Sequence, residues 1–61
     1  QESRNGGHLM IVYLIMGMNY NEGVNEDTAE VFTEFQRAHA YGEYLVESKE
    51  FDDYVFKQLS T

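Results

Sequence analysis

Met10 to Tyr20 reads Met-Ile-Val-Tyr-Leu-Ile-Met-Gly-Met-Asn-Tyr and is apolar on both parities of a two-residue repeat. As a strand it turns Ile11, Tyr13 and Ile15 to one face and Met10, Val12, Leu14, Met16 and Met18 to the other. Such a strand needs cover on both sides. The rest of the chain has room for one substantial helix, which covers one face of a small sheet. The second cover must come from outside the protomer. This predicts a homodimer with Val12, Leu14 and Met16 in its interface, or another binding partner on that face.

Size points the same way. A chain of 61 residues without cysteine has neither a disulfide nor a thiolate metal site to support a marginal core, and association is the remaining support. A small cysteine-free domain suits a reducing cytoplasm. The Met10 run is too short to span a bilayer, and no small-residue cleavage site follows it, so the expectation is a soluble cytoplasmic protein. Gln1 to Leu9 is polar, glycine-bearing and without period, and it directly precedes a methionine. Residues 1–9 are read as a vector-derived remnant or disordered arm and residues 10–61 as one small domain.

Charge narrows the partners. Glu2 and Arg4 cancel, which leaves Glu22, Glu26, Asp27, Glu30, Glu34, Glu43, Glu47, Glu50, Asp52 and Asp53 against Arg37, Lys49 and Lys57, a net charge of −7. That density repels nucleic acid and anionic membranes, so a partner chosen electrostatically is basic.

After the first strand, Asn19 to Asn25 has the composition of a turn or short loop. In Asp27 to Phe32, Ala29 and Val31 alternate with Thr28, Glu30 and Phe32, as in a half-exposed strand paired with the first. The competing reading starts a helix at Asp27 or Thr28, with Glu30 completing a capping box. Thr33-Glu34-Phe35-Gln36 carries a capping-box pattern of its own, and Phe35, Ala38, His39, Gly42, Leu45 and Val46 follow at helical spacing. This predicts a helix from Thr33 to near Ser48, with Glu34, Arg37, Tyr41, Tyr44 and Glu47 facing away. Gly42 on the inner stripe points to close approach of helix and sheet. Phe51-Asp52-Asp53 reads as a connector and Tyr54 to Leu59 as a last strand. The expected fold is α+β: a three-stranded antiparallel sheet with one helix in the order ββαβ, completed by homodimerisation.

No catalytic constellation emerges. His8 and His39 form no pair at metal-ligand spacing, which argues against a metal site. Asp52 and Asp53, as strand neighbours, point to opposite faces and fit a solvated turn better than an acid–base pair. Gly6-Gly7 lacks the preceding strand and the lysine of a phosphate cradle. We therefore expect no enzyme, no catalytic residue and no cofactor. The acids read either as a solubilising surface or as an aromatic-studded face whose spaced carboxylates imitate DNA phosphates.

Two strands, a Thr-Glu-Phe helix start at Thr33-Glu34-Phe35-Gln36, Tyr41-Gly42 inside the helix and a final strand, all within an acidic Met10 to Leu59, resemble the small uracil-DNA glycosylase inhibitors of protein-primed tailed phages. The resemblance implies a ββαβ protomer that dimerises through sheet and helix, mimics DNA in the enzyme's cleft, and uses Phe35 as part of a hydrophobic recess. On this expectation Glu26, Asp27, Glu30, Glu34, Glu43 and Glu47 supply phosphate-like charge to a basic-clefted host DNA-handling protein in the bacterial cytoplasm. Phe35 and Tyr44 line the recess. Val31-Phe32-Thr33-Glu34 also resembles the strand-to-helix junction of short phage-type proteins without assigned activity. The expectation from another class is a regulatory or accessory module that docks by its sheet face or an edge strand.

Overall fold

The computed structural model describes residues 10–60, so the reading of residues 1–9 as a remnant or arm lies outside the described residues. The elements are β1 (Ile11–Asn19), β2 (Gly23–Phe32), α1 (Phe35–Glu47) and β3 (Asp53–Ser60). They form an antiparallel sheet of order β2-β1-β3 with the helix on one face, the expected ββαβ arrangement. The apolar strand takes the centre because its ladder is completed on both sides, leaving the polar strands at the edges.

β1 and β2 join tightly. Glu22 N–H donates to Asn19 O across the turn, and Gly23 follows at φ +85° opposite Asn19. This is the three-residue hairpin in which a left-handed residue restores the strand twist, a position suited to glycine. β2 therefore begins at Gly23, earlier than the alternation from Asp27 suggests, and Asp27 to Phe32 is strand throughout.

The ladder breaks between the pairs Ile15–Glu30 and Gly17–Asn25, where β2 carries extra residues. Thr28 bridges the break: its Oγ1 accepts from Gly17 N–H at 2.7 Å and donates to Asn25 O at 2.7 Å. The bulge lifts Glu26 and Asp27 out of the ladder, and bulges and charges of this kind protect an edge strand from pairing with another chain.

The helix begins at Phe35, later than the Thr33 capping box predicts. Glu34 is the N-cap, without a side-chain cap hydrogen bond. Packing accounts for the shift. Phe35 in the first turn meets Tyr13 edge-on at 5.8 Å and Phe56 at 5.3 Å between ring centroids, and burying part of a large aromatic outweighs a cap worth about 1 kcal/mol. At the other end Ser48 caps the helix, and Lys49, at φ 67°, donates to Val46 O.

The buried core is Ile15, Ala38 and Leu45, ringed by Tyr13, Phe32, Tyr41, Phe51, Tyr54 and Phe56. Glycine makes the contact between layers possible at two points. The Tyr54 ring lies directly on Gly42, the close approach expected there, and a Cβ at Gly17 would meet the Phe51 ring at 2.7 Å. Phe51 is thus a packing residue, where the sequence suggested a connector. Tyr41 also turns inward. Its ring lies against Phe32, and its hydroxyl donates to Thr28 O at 2.8 Å, tying the helix to the bulge.

Candidate interaction surfaces

The expected charge set divides along the two edges of the sheet. Glu26, Asp27 and Glu30 belong to β2, and Glu30 faces the helix side close enough to act on Tyr41. Glu43 and Glu47 lie on the opposite flank of the helix, where together with Val46 they line a hollow of about 220 Å³ against Asp53 and Tyr54 of β3. Glu34 stands at the helix start, its carboxylate 3.1 Å from Arg37. The acids therefore form two rows with the helix between them, and Glu34 is partly neutralised.

Phe35 and Tyr44 do not share a recess. They are nine positions apart on the helix, which places them half a turn from each other. Phe35 is 55% exposed and belongs to a cluster with Tyr13, Phe56 and His39, whereas Tyr44 is 60% exposed and stacks on Tyr41 on the β2 side. A recess at Phe35 would have Tyr13 and Phe56 as its other walls, two residues that the resemblance did not single out.

Among the described residues Tyr41 is the titratable group that the fold perturbs. Burial of its ring raises its hydroxyl above the ordinary tyrosine value, and the negative charge of Glu30 and the neighbouring Tyr44 act in the same direction. The hydroxyl donates to Thr28 O, which ties this part of the helix to the β2 bulge.

The face of the sheet away from the helix is apolar along β1, carries Asp53 and Lys57 on β3, and has no described element on it. β1 contributes Val12, Leu14, Met16 and Met18, flanked on β2 by Val31 opposite Leu14 and Val24 opposite Met18, and on β3 by Leu59 opposite Val12 and Val55 opposite Met16. Val31 is 61% exposed and Leu59 39%. Val12, Leu14 and Met16, expected in a dimer interface, are only half-buried by their neighbours.

The turn region holds a second hollow of about 280 Å³, lined by Asn19, Glu22 to Asn25, Glu26 and Asp27. Close by, Asp52 acts as a clip. Its carboxylate accepts from Tyr20 N–H at 2.9 Å, while its own N–H donates to Met18 O and Asn19 Oδ1. It fastens the β1–β2 turn to the connection entering β3, a role invisible to the reading of Asp52-Asp53 as a solvated turn. Among the described residues no group of three or more His, Cys, Asp or Glu could hold a metal ion, and no helix is long and apolar enough to cross a membrane.

No known protein family, curated protein or solved structure matches the chain. The resemblance to the glycosylase inhibitors rests on element order, size, charge and the residues quoted for it.

Proposed function

We propose that the protein is a non-enzymatic, phage-type inhibitor that acts in a bacterial host cytoplasm by occupying the basic DNA-binding cleft of a DNA-handling protein, with uracil-DNA glycosylase as the first target to test. The observation that carries this reading is the division of the carboxylates into two rows, Glu26, Asp27 and Glu30 on the β2 edge and Glu43, Glu47 and Asp53 on the β3 side. Edges of a three-stranded sheet are roughly 10 Å apart, comparable with the widths of about 6 to 12 Å that separate the phosphate lines of DNA across its grooves. Exposed Tyr44 adds an aromatic anchor beside the β2 row.

The experiment is a uracil-excision assay at equimolar inhibitor and enzyme over a salt series. Inhibition should weaken steeply as salt rises, and neutralising either row, Glu26→Gln with Glu30→Gln or Glu43→Gln with Glu47→Gln, should relieve it. Absence of inhibition together with absence of a stable complex rules out this target. A second reading is favoured by the open apolar face around Leu14: a regulatory or accessory module that docks on a larger assembly through the sheet. Binding of that kind is largely insensitive to salt, which separates the two readings.

A further inference from the structure

We propose that a second copy of this chain covers the open face of the sheet, with the two-fold axis lying between the two sheets over the row formed by Met16 and Val55. The proposal does not rest on the inhibitor reading; the two share only Asp53, which lines the hollow beside the helix and by register also borders the open face, so the Lys57 reversal tests the dimer without touching the carboxylate rows. β3 places two charges on the open face, Asp53 opposite Met18 and Lys57 opposite Leu14, and Val55 lies midway between them opposite Met16. The two charges are about 13 Å apart along the strand, too far to pair with each other. Among the described residues Lys57 has no ion-pair partner. A rotation about an axis crossing the strands at the Val55 row exchanges the levels of Asp53 and Lys57. Each Lys57 then stands over the partner's Asp53, each Leu14 over the partner's Met18, and Val55 meets its own copy.

That symmetry is what favours a second copy over a foreign partner. An interface between identical patches must be self-complementary about its axis, and opposite charges equidistant from one apolar row satisfy the condition. Two sheets packed face to face about 10 Å apart leave room for interdigitating aliphatic side chains and for a lysine to reach a carboxylate opposite. The patch covers on the order of 400 Å² per protomer from strand spacing and rise. That is the size of the largest, often functional, patch on a small protein, and about 800 Å² over both protomers makes this a weak interface, so association no tighter than the micromolar range is expected.

The test is sedimentation of the full chain across the micromolar range, alongside Lys57→Asp and Asp53→Lys. Both positions are exposed, and circular dichroism would verify that each variant keeps its fold. The unmodified protein should dimerise, and each single reversal should weaken association about tenfold or more by replacing attraction with like-charge repulsion. Mixing the two variants should restore it, as should combining both reversals in one chain. A readout independent of charge is Val55→Cys, a unique thiol in a chain without cysteine, which a short bis-maleimide should link into a dimer. A monomer throughout the range, single reversals that associate as the unmodified protein does, or a Val55→Cys chain that fails to cross-link would each overturn the proposal.

Discussion

The two faces of β1 are similar in composition and differ in surroundings. On one, Ile15 is wholly buried beneath Ala38 and Leu45 of the helix and Tyr13 packs among aromatics. On the other, Leu14 and Met16 are half-buried by strand neighbours alone. Hydrophobicity marks which residues need cover, but not which of them the chain covers itself. That depends on the supply of amphipathic helix, and α1 is the one helix among the described residues. Substitutions on the helix side should therefore act on folding, and those on the open side on association.

The largest effect is expected at Ile15. Ile15→Asp would bury a carboxylate without a partner at the centre of the core, a change in the class that costs about 4 kcal/mol or more. A domain of this size has only about 3 to 5 kcal/mol of stability, so circular dichroism should show an unfolded chain. Helical signal and cooperative melting retained in this variant would mean that the helix-covered face is not where the stability lies.

Gly42→Ala should be smaller and opposite in sign to what helix propensity alone suggests. Alanine favours the helix by about 1 kcal/mol, but the Tyr54 ring already occupies the space its Cβ needs, and overpacking costs about 1 to 3 kcal/mol. Denaturant unfolding should show a net loss of about 1 kcal/mol. A net gain would show that Tyr54 swings aside freely and that the two layers are loosely joined.

Tyr41→Phe should cost no more than that, about 1 kcal/mol for the lost bond to Thr28 O. The pH dependence has a definite sign. The folded state favours the protonated hydroxyl relative to the unfolded chain, so this contribution is present below the ordinary tyrosine value of about 10 and is lost as pH rises through the higher folded value. The difference in melting temperature between the natural chain and Tyr41→Phe should narrow in strong alkali. A difference that stays constant there would remove the hydroxyl from the account.

The sheet and helix were legible because each carries a period that runs through it: the two-parity run of β1, the Ala29–Val31 alternation of β2 and the Phe35 to Val46 stripe of α1. What stayed hidden depends on contacts between elements. Nothing local in Thr33-Glu34-Phe35-Gln36 reveals that Phe35 gains more from Tyr13 and Phe56 than Thr33 gains from a cap. Nothing in Thr28 marks it as a bridge across a bulge. Phe51 left one clue: Gly17, a glycine inside an apolar strand, commonly signals close approach of another group. The candidate acids were legible as residues but not as two rows, because their separation across the helix depends on where each helical position falls relative to the sheet edges.

The contrast between the two faces is tested most directly by thermal melting of the natural chain and of Leu14→Asp as a function of protein concentration. If the open face is covered by a second copy, the melting temperature of the natural chain rises with concentration, since association stabilises by mass action. Leu14→Asp should keep the helix-covered core, melt cooperatively at a lower temperature, and show no dependence on concentration. A natural chain whose melting temperature is independent of concentration, or a Leu14→Asp chain that retains the dependence, would contradict the account.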